Sequence, residues 1–99
     1  DARALGQYFS ALSNEANLNE KDCAWLIFGV ENKSHEVVGS QYKNSRPALD
    51  AIKKKIADQT TGRHTFVEIY ELLYRNGKRV VMFQIPPAPQ GIPISFQDH

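Results

Sequence analysis

Cysteine is almost absent: Cys23 stands alone among 99 residues, so neither a disulfide framework nor a thiolate metal site can be assembled from this chain. That usage fits a reducing cytoplasm, which is the location the sequence predicts. Long hydrophobic runs are missing as well. The longest uncharged apolar stretch, Cys23 to Val30, is far short of the roughly 20 residues that span a bilayer, and no basic-then-apolar leader opens the chain. No membrane partner is expected. Charge of one sign is scarce too, since 12 Lys and Arg face 11 Asp and Glu for a formal +1, so overall charge names no partner. A phosphate-binding Gly-rich loop, a metal-binding acidic pair after a strand and a nucleophile elbow are all lacking. What remains is an ordinary globular composition, 41% hydrophobic and 23% charged, sized for one core and one domain over residues 1–99. The opening Asp-Ala-Arg already lies inside a helical pattern, so the chain is expected to be a piece of a longer protein.

Leu5, Tyr8, Phe9, Leu12 and Ala16 recur at helical spacing and predict a helix over residues 3–13. The polar residues from Ser13 to Asp22 read as a connection, because short polar side chains compete with the helical backbone. Cys23 to Val30 carries no charge and predicts a central strand covered on both faces. A polar turn over 31–35 and the short β-branched run Glu36 to Gly39 would pair back on it as a hairpin. Ser45 is a candidate N-cap before Pro47, and Ala48, Leu49, Ile52 and Ile56 mark the buried stripe of a helix over 46–58. Phe66 to Tyr74 and Lys78 to Ile85 flank Asn76-Gly77, the signal for a two-residue type I′ turn. That turn would set Tyr74 opposite Arg79 and Tyr70 opposite Phe83. The prolines from Pro86 to Pro93 then form a rigid connector, and Ile94-Ser95-Phe96 could begin one last strand. The fold class expected is α/β or α+β: a mixed β-sheet with two helices packed on it.

Trp25-Leu26-Ile27-Phe28-Gly29-Val30-Glu31-Asn32, followed by Val37-Val38-Gly39, resembles the Schlafen-type AlbA-like DNA-binding domain. In that family a helix ending in Ala-Phe-x-Asn leads into a strand-turn-strand reading roughly Gly-Val-Asp-Asp/Asn and then Val-Val-Gly. Ser10-Ala11-Leu12-Ser13-Asn14 stands in the helix-end place here. Val80 to Pro86 and Ile92-Pro93 resemble the family's strand-then-proline ending, so roughly 85 residues are covered. The resemblance implies a cytoplasmic, mostly bacterial transcriptional regulator that binds nucleic acid, with relatives described as related to RecG helicases. Some Schlafen relatives cleave RNA with two glutamates in an ExxxxEFK segment and an aspartate after the Gly-Val. Here the first segment is missing, and Glu31 and Asn32 follow the Gly-Val. A metal-assisted cleavage needs several oxygen ligands, so Glu31 alone makes no nuclease site and reads as the cap of a tight turn.

Positive charge is unevenly spread. Residues 1–42 hold three Lys and Arg against six acids, whereas residues 43–99 hold nine against five. Lys43, Arg46, Lys53, Lys54 and Lys55 lie on or before the second predicted helix, and Arg63, Lys78 and Arg79 would extend the same surface. Such a surface attracts phosphate with little regard for sequence, and it marks these eight residues as the candidate nucleic-acid site, DNA first and RNA as the alternative. The competing reading is the solvated side of an amphipathic helix. Tyr42, Tyr70 and Tyr74 are candidates for base stacking or for cross-strand packing. His35, His64 and His99 are too far apart for a local metal motif, and no cofactor, metal or catalytic residue is expected. Two alternatives stay open: the core of a metal-dependent endoribonuclease, and an interaction module whose free sheet edge would permit a homodimer.

Overall fold

A computed structural model describes residues 2–96. The element order is α1 (Ala2–Leu18), β1 (Ala24–Phe28), α2 (Arg46–Gln59), β2 (Glu68–Leu73) and β3 (Arg79–Ile85). Two helices and a three-stranded sheet make the expected α+β fold, and the sheet is antiparallel throughout, in the order β1-β3-β2. Phe9 and Leu5 of α1, Leu49, Ile52 and Ile56 of α2, and Val81, Phe83 and Ile85 of β3 meet in one core with Phe66 and Ile69. Phe66 packs edge-on against Phe9 and tilted on Phe83, with centroids 5.1 and 4.9 Å apart, respectively.

Three expectations are corrected. First, α1 continues past residue 13 to Leu18 because its polar residues find partners outside the helix. Ser13 is fully buried, and its hydroxyl donates to the Pro86 carbonyl at 2.6 Å. The Asn14 amide donates to the Ile94 carbonyl at 2.9 Å and accepts from the Ile94 N–H at 2.8 Å, so neither side chain competes with the helical ladder. The helix ends in a Schellman arrangement: Lys21 N–H reaches the Ala16 carbonyl, Glu20 N–H reaches that of Asn17, and Glu20 takes a φ of 54°.

Second, the uncharged run is an edge strand, and β3 is central. Ala24, Leu26 and Phe28 face the core, while Trp25 and Ile27 on the other face are exposed. The lack of charge reflects two apolar faces, not two covered ones. The run 36–39 forms no strand, only the single bridge Val30 to Val37. Gly29 nevertheless receives the N–H groups of Val38 and Gly39 on its carbonyl. Its φ is 104°, and a Cβ there would sit 2.6 Å from the Arg79 carbonyl oxygen, so no other residue fits this corner.

Third, the β2–β3 loop has three residues, not two. Tyr74 and Lys78 close it, Gly77 N–H donates to the Tyr74 carbonyl at 2.8 Å, and Gly77 has φ 76° while Asn76 stays out of the left-handed region. This is a type I turn with a glycine bulge, and the Asn76 side chain helps by accepting the Lys78 N–H at 3.0 Å. The register therefore moves by one residue: Tyr70 faces Met82 and Leu73 faces Arg79. The helix 46–59 agrees with expectation, its N-cap included, for Ser45 Oγ accepts from Ala48 N–H at 3.3 Å. Ile94 to Phe96 supplies only the bridge from Phe96 to Thr60.

Candidate nucleic-acid interface

An α-helix advances about 100° per residue, so Lys53, Lys54 and Lys55 cannot share one face. With Leu49, Ile52 and Ile56 turned inward, Lys53 falls on the flank beside β2, Lys54 points away from the core, and Lys55 falls on the opposite flank. The Lys53 ammonium donates to the Val67 carbonyl at 3.3 Å.

Arg46, two turns before Lys53 on the same side of the helix, is engaged more fully. Its guanidinium donates to the Ile69 carbonyl at 2.7 Å, meets Glu68 at 3.0 Å and meets Asp50 at 3.3 Å. The Glu68 carboxyl lies below its ordinary pKa, first because it accepts the Ile69 N–H and then through Lys53 and Arg46. Together these side chains cap the Val67–Ile69 end of the outer edge of β2, where unpaired strand groups would otherwise face solvent. Arg63 pairs with Asp58.

Arg79 is the most enclosed of the eight, its side chain only 12% exposed. It meets Glu71 at 2.9 Å and donates to the carbonyls of Tyr42 at 2.7 Å, Lys43 at 2.8 Å and Ser40 at 3.4 Å. One fork thus fixes the whole 40–43 turn. Its role was missed in the sequence because Glu71 and Arg79 are brought together only by the three-residue loop.

Lys43, Lys54, Lys55 and Lys78 are exposed and, among the described residues, have no carboxylate within ion-pair distance. Lys43 and Lys55 line one shallow depression of about 270 Å³ with Ala48, Ala51 and Ile52. Lys78 lines another of about 290 Å³ with Val38 to Gln41, Gly77 and Arg79. The 40–43 turn held by Arg79 connects the two. Four of the eight candidates are therefore bound into the fold by carboxylates or carbonyls, and four are left to solvent.

The tyrosines part in the same way. Tyr42 packs edge-on against Phe28 and Phe83, and burial raises its hydroxyl pKa; among the described residues that hydroxyl has no partner. Tyr70 lies against Trp25 at 6.0 Å, whereas Tyr74 is exposed. Lys43 sits 5.8 Å from the Tyr42 ring centre.

Glu31 is a turn cap. Its carboxylate accepts the Ser34 N–H at 2.5 Å and the Ser34 hydroxyl at 2.7 Å, and these bonds hold its pKa down. Among the described residues no three His, Cys, Asp or Glu gather to hold a metal; His99 lies outside them. No helix there is long and apolar enough to cross a membrane.

The family model for Schlafen, AlbA_2 matches residues 1–99, the whole chain. No curated protein and no solved structure matches it.

Proposed function

The chain belongs to the Schlafen AlbA_2 family, and from that premise we propose that it binds nucleic acid through phosphate contacts made by Lys43, Lys55 and Lys78, with Lys54 adding to the field. One observation carries the reading: Lys43, Lys55 and Lys78 border two neighbouring depressions joined by a turn that Arg79 holds in place. Rigid placement matters because a phosphate contact returns free energy only if the lysine is not also ordered on binding. Exposed ammonium groups without carboxylate partners keep their full charge for the ligand, and releasing counterions from the polyanion supplies the driving force. Arg46, Arg63 and Arg79 act as framework in this reading, and Lys53 joins them. Duplex DNA is the first ligand, RNA the alternative, and a cytoplasmic transcriptional regulator the setting.

The test is anisotropy of a labelled duplex of about 20 base pairs. About four phosphate contacts give a log–log salt slope of about −3 to −4, so affinity falls about a hundredfold between about 50 and 200 mM salt. The triple change Lys43→Glu, Lys55→Glu, Lys78→Glu abolishes binding, while Arg63→Ala leaves it within about twofold. Affinity indifferent to salt, or retained in the triple variant, refutes the proposal.

A further inference from the structure

Helices α1 and α2 pack on the face of the sheet that carries Val81, Phe83 and Ile85, and among the described residues no helix covers the other face. An antiparallel sheet covered on one side ordinarily turns polar side chains outward on the other. Here the outward positions along the middle of the sheet are Trp25 and Ile27 of β1, Met82 and Gln84 of β3, and Tyr70 and Leu72 of β2. Gln84 is the one wholly polar side chain among them. Trp25, Ile27, Tyr70 and Leu72 are 41%, 42%, 42% and 40% exposed. A patch of this kind marks a binding surface.

Its chemistry says what binds there. The register sets Trp25 beside Gln84 and Tyr70 beside Met82, so the two rings lean toward each other across β3, with centroids 6.0 Å apart and planes at 41°. The Tyr70 hydroxyl donates to the Gln84 side-chain carbonyl at 3.3 Å, which orders that ring before any ligand arrives. Half-exposed rings held by their neighbours form a platform that accepts any base, because every base has an aromatic face. Charge points the same way. Strand side chains alternate and Tyr74 pairs with Lys78, so both stand on this face at its hairpin end. Lys78 also borders one of the lysine-lined depressions, and one cation thus belongs to both surfaces. Within the strands the acid on this face is Glu68, at the opposite end beside Gln84, and Arg46 already holds its carboxylate at 3.0 Å. A wholly apolar partner makes no use of Lys78, whereas a polyanion carrying bare bases uses the cation and the rings together.

We propose that this face stacks the unpaired bases of a nucleic acid whose phosphates the lysines hold, with Trp25 and Tyr70 as the platform and Tyr74 at its basic end. The proposal rests on the nucleic-acid reading above and adds a preference to it. Bases inside a duplex show no free face, so this surface takes a single-stranded stretch, and a duplex that carries one engages both surfaces at once. Stacking releases few counterions, so the added affinity depends less on salt than the phosphate contacts do.

Trp25 is the only tryptophan, so its emission reports on this face directly. Three DNA probes are compared: a blunt duplex of about 20 base pairs, the same duplex with an overhang of about eight unpaired nucleotides, and that overhang made abasic, which keeps the phosphates and removes the bases. The natural overhang binds at least about tenfold more tightly than either other probe and quenches Trp25, while the blunt duplex leaves the emission unchanged. Tyr70→Ala cancels that gain and leaves blunt-duplex affinity within about twofold, and Tyr70→Phe keeps the gain, with circular dichroism confirming the fold. An abasic overhang that binds as tightly as the natural one, a bound overhang that leaves Trp25 emission unchanged, or a gain that survives Tyr70→Ala overturns the proposal while the lysine contacts stand. Failure of all three probes to bind removes the nucleic-acid reading and this proposal with it.

Discussion

On the side of α2 that meets β2, Arg46 and Lys53 hold strand carbonyls and Arg46 meets two carboxylates, whereas on the side that meets the 40–43 turn Lys43 and Lys55 border an open depression and, among the described residues, pair with no acid. The same helix thus carries cations of two kinds a few residues apart. Position relative to the sheet decides which is which. A strand edge offers carbonyls that need donors, and a long cationic side chain nearby is drawn into supplying them. Where the helix faces a turn whose carbonyls are already bound by Arg79, the lysines have nothing to cap and remain available to an outside anion.

The change expected to matter most dismantles the framework under both sides. Arg79→Ala leaves three carbonyls and Glu71 without a partner in a largely enclosed site, and urea unfolding should show a loss of about 3 kcal/mol. Nucleic-acid affinity falls with it, because Lys43 is no longer held. Arg46→Ala breaks only the β2 side. Its ion pairs are half-exposed and contribute little, so the bond to the Ile69 carbonyl dominates and the cost is about 1 kcal/mol. DNA affinity stays within about twofold of the parent, which separates a framework cation from a contact cation; an affinity loss as large as that of Lys43→Glu would erase the distinction. The smallest effect is in pH. Glu68 and Glu31 have folded-state pKa values below their ordinary ones, so their contribution to stability is present above the ordinary carboxylate value and is lost as pH falls through the depressed folded value. In Glu68→Gln, melting temperature followed downward in pH should fall less steeply than in the parent, and an unchanged profile would show that the bonds from the Ile69 N–H, Lys53 and Arg46 do not stabilise the fold through this carboxylate.

Much of this was legible in the chain. Ser45 and Pro47 announced the start of α2, and the apolar stripe of Leu49, Ile52 and Ile56 announced its buried face. The hairpin was legible at Asn76-Gly77, but its loop length was not. A glycine in the left-handed region serves a two-residue and a three-residue loop equally, and the choice moves every side chain of one strand relative to the other. Ser13 and Asn14 misled for a different reason: their side chains are poor in an isolated helix, and only the returning segment at Pro86 and Ile94 supplies the partners that keep them in one. Of the candidate site, the concentration of positive charge could be read from residues 43–79, but not its division into two sets.

The sequence by itself determined where α2, β1 and the β2–β3 hairpin form, because those depend on spacing and capping within a few residues. Family membership was legible for the same reason, carried by the Gly-Val-Glu-Asn turn and the strands around it. Only the tertiary structure decided that β3 and not β1 lies in the middle of the sheet, and which cations are engaged by the fold and which are left to solvent. Those outcomes rest on partners distant in the chain: 37 residues separate Arg79 from the Tyr42 carbonyl it holds and 23 separate Arg46 from Ile69. Charge is written in the sequence, but whether that charge is neutralised depends on what folding brings beside it.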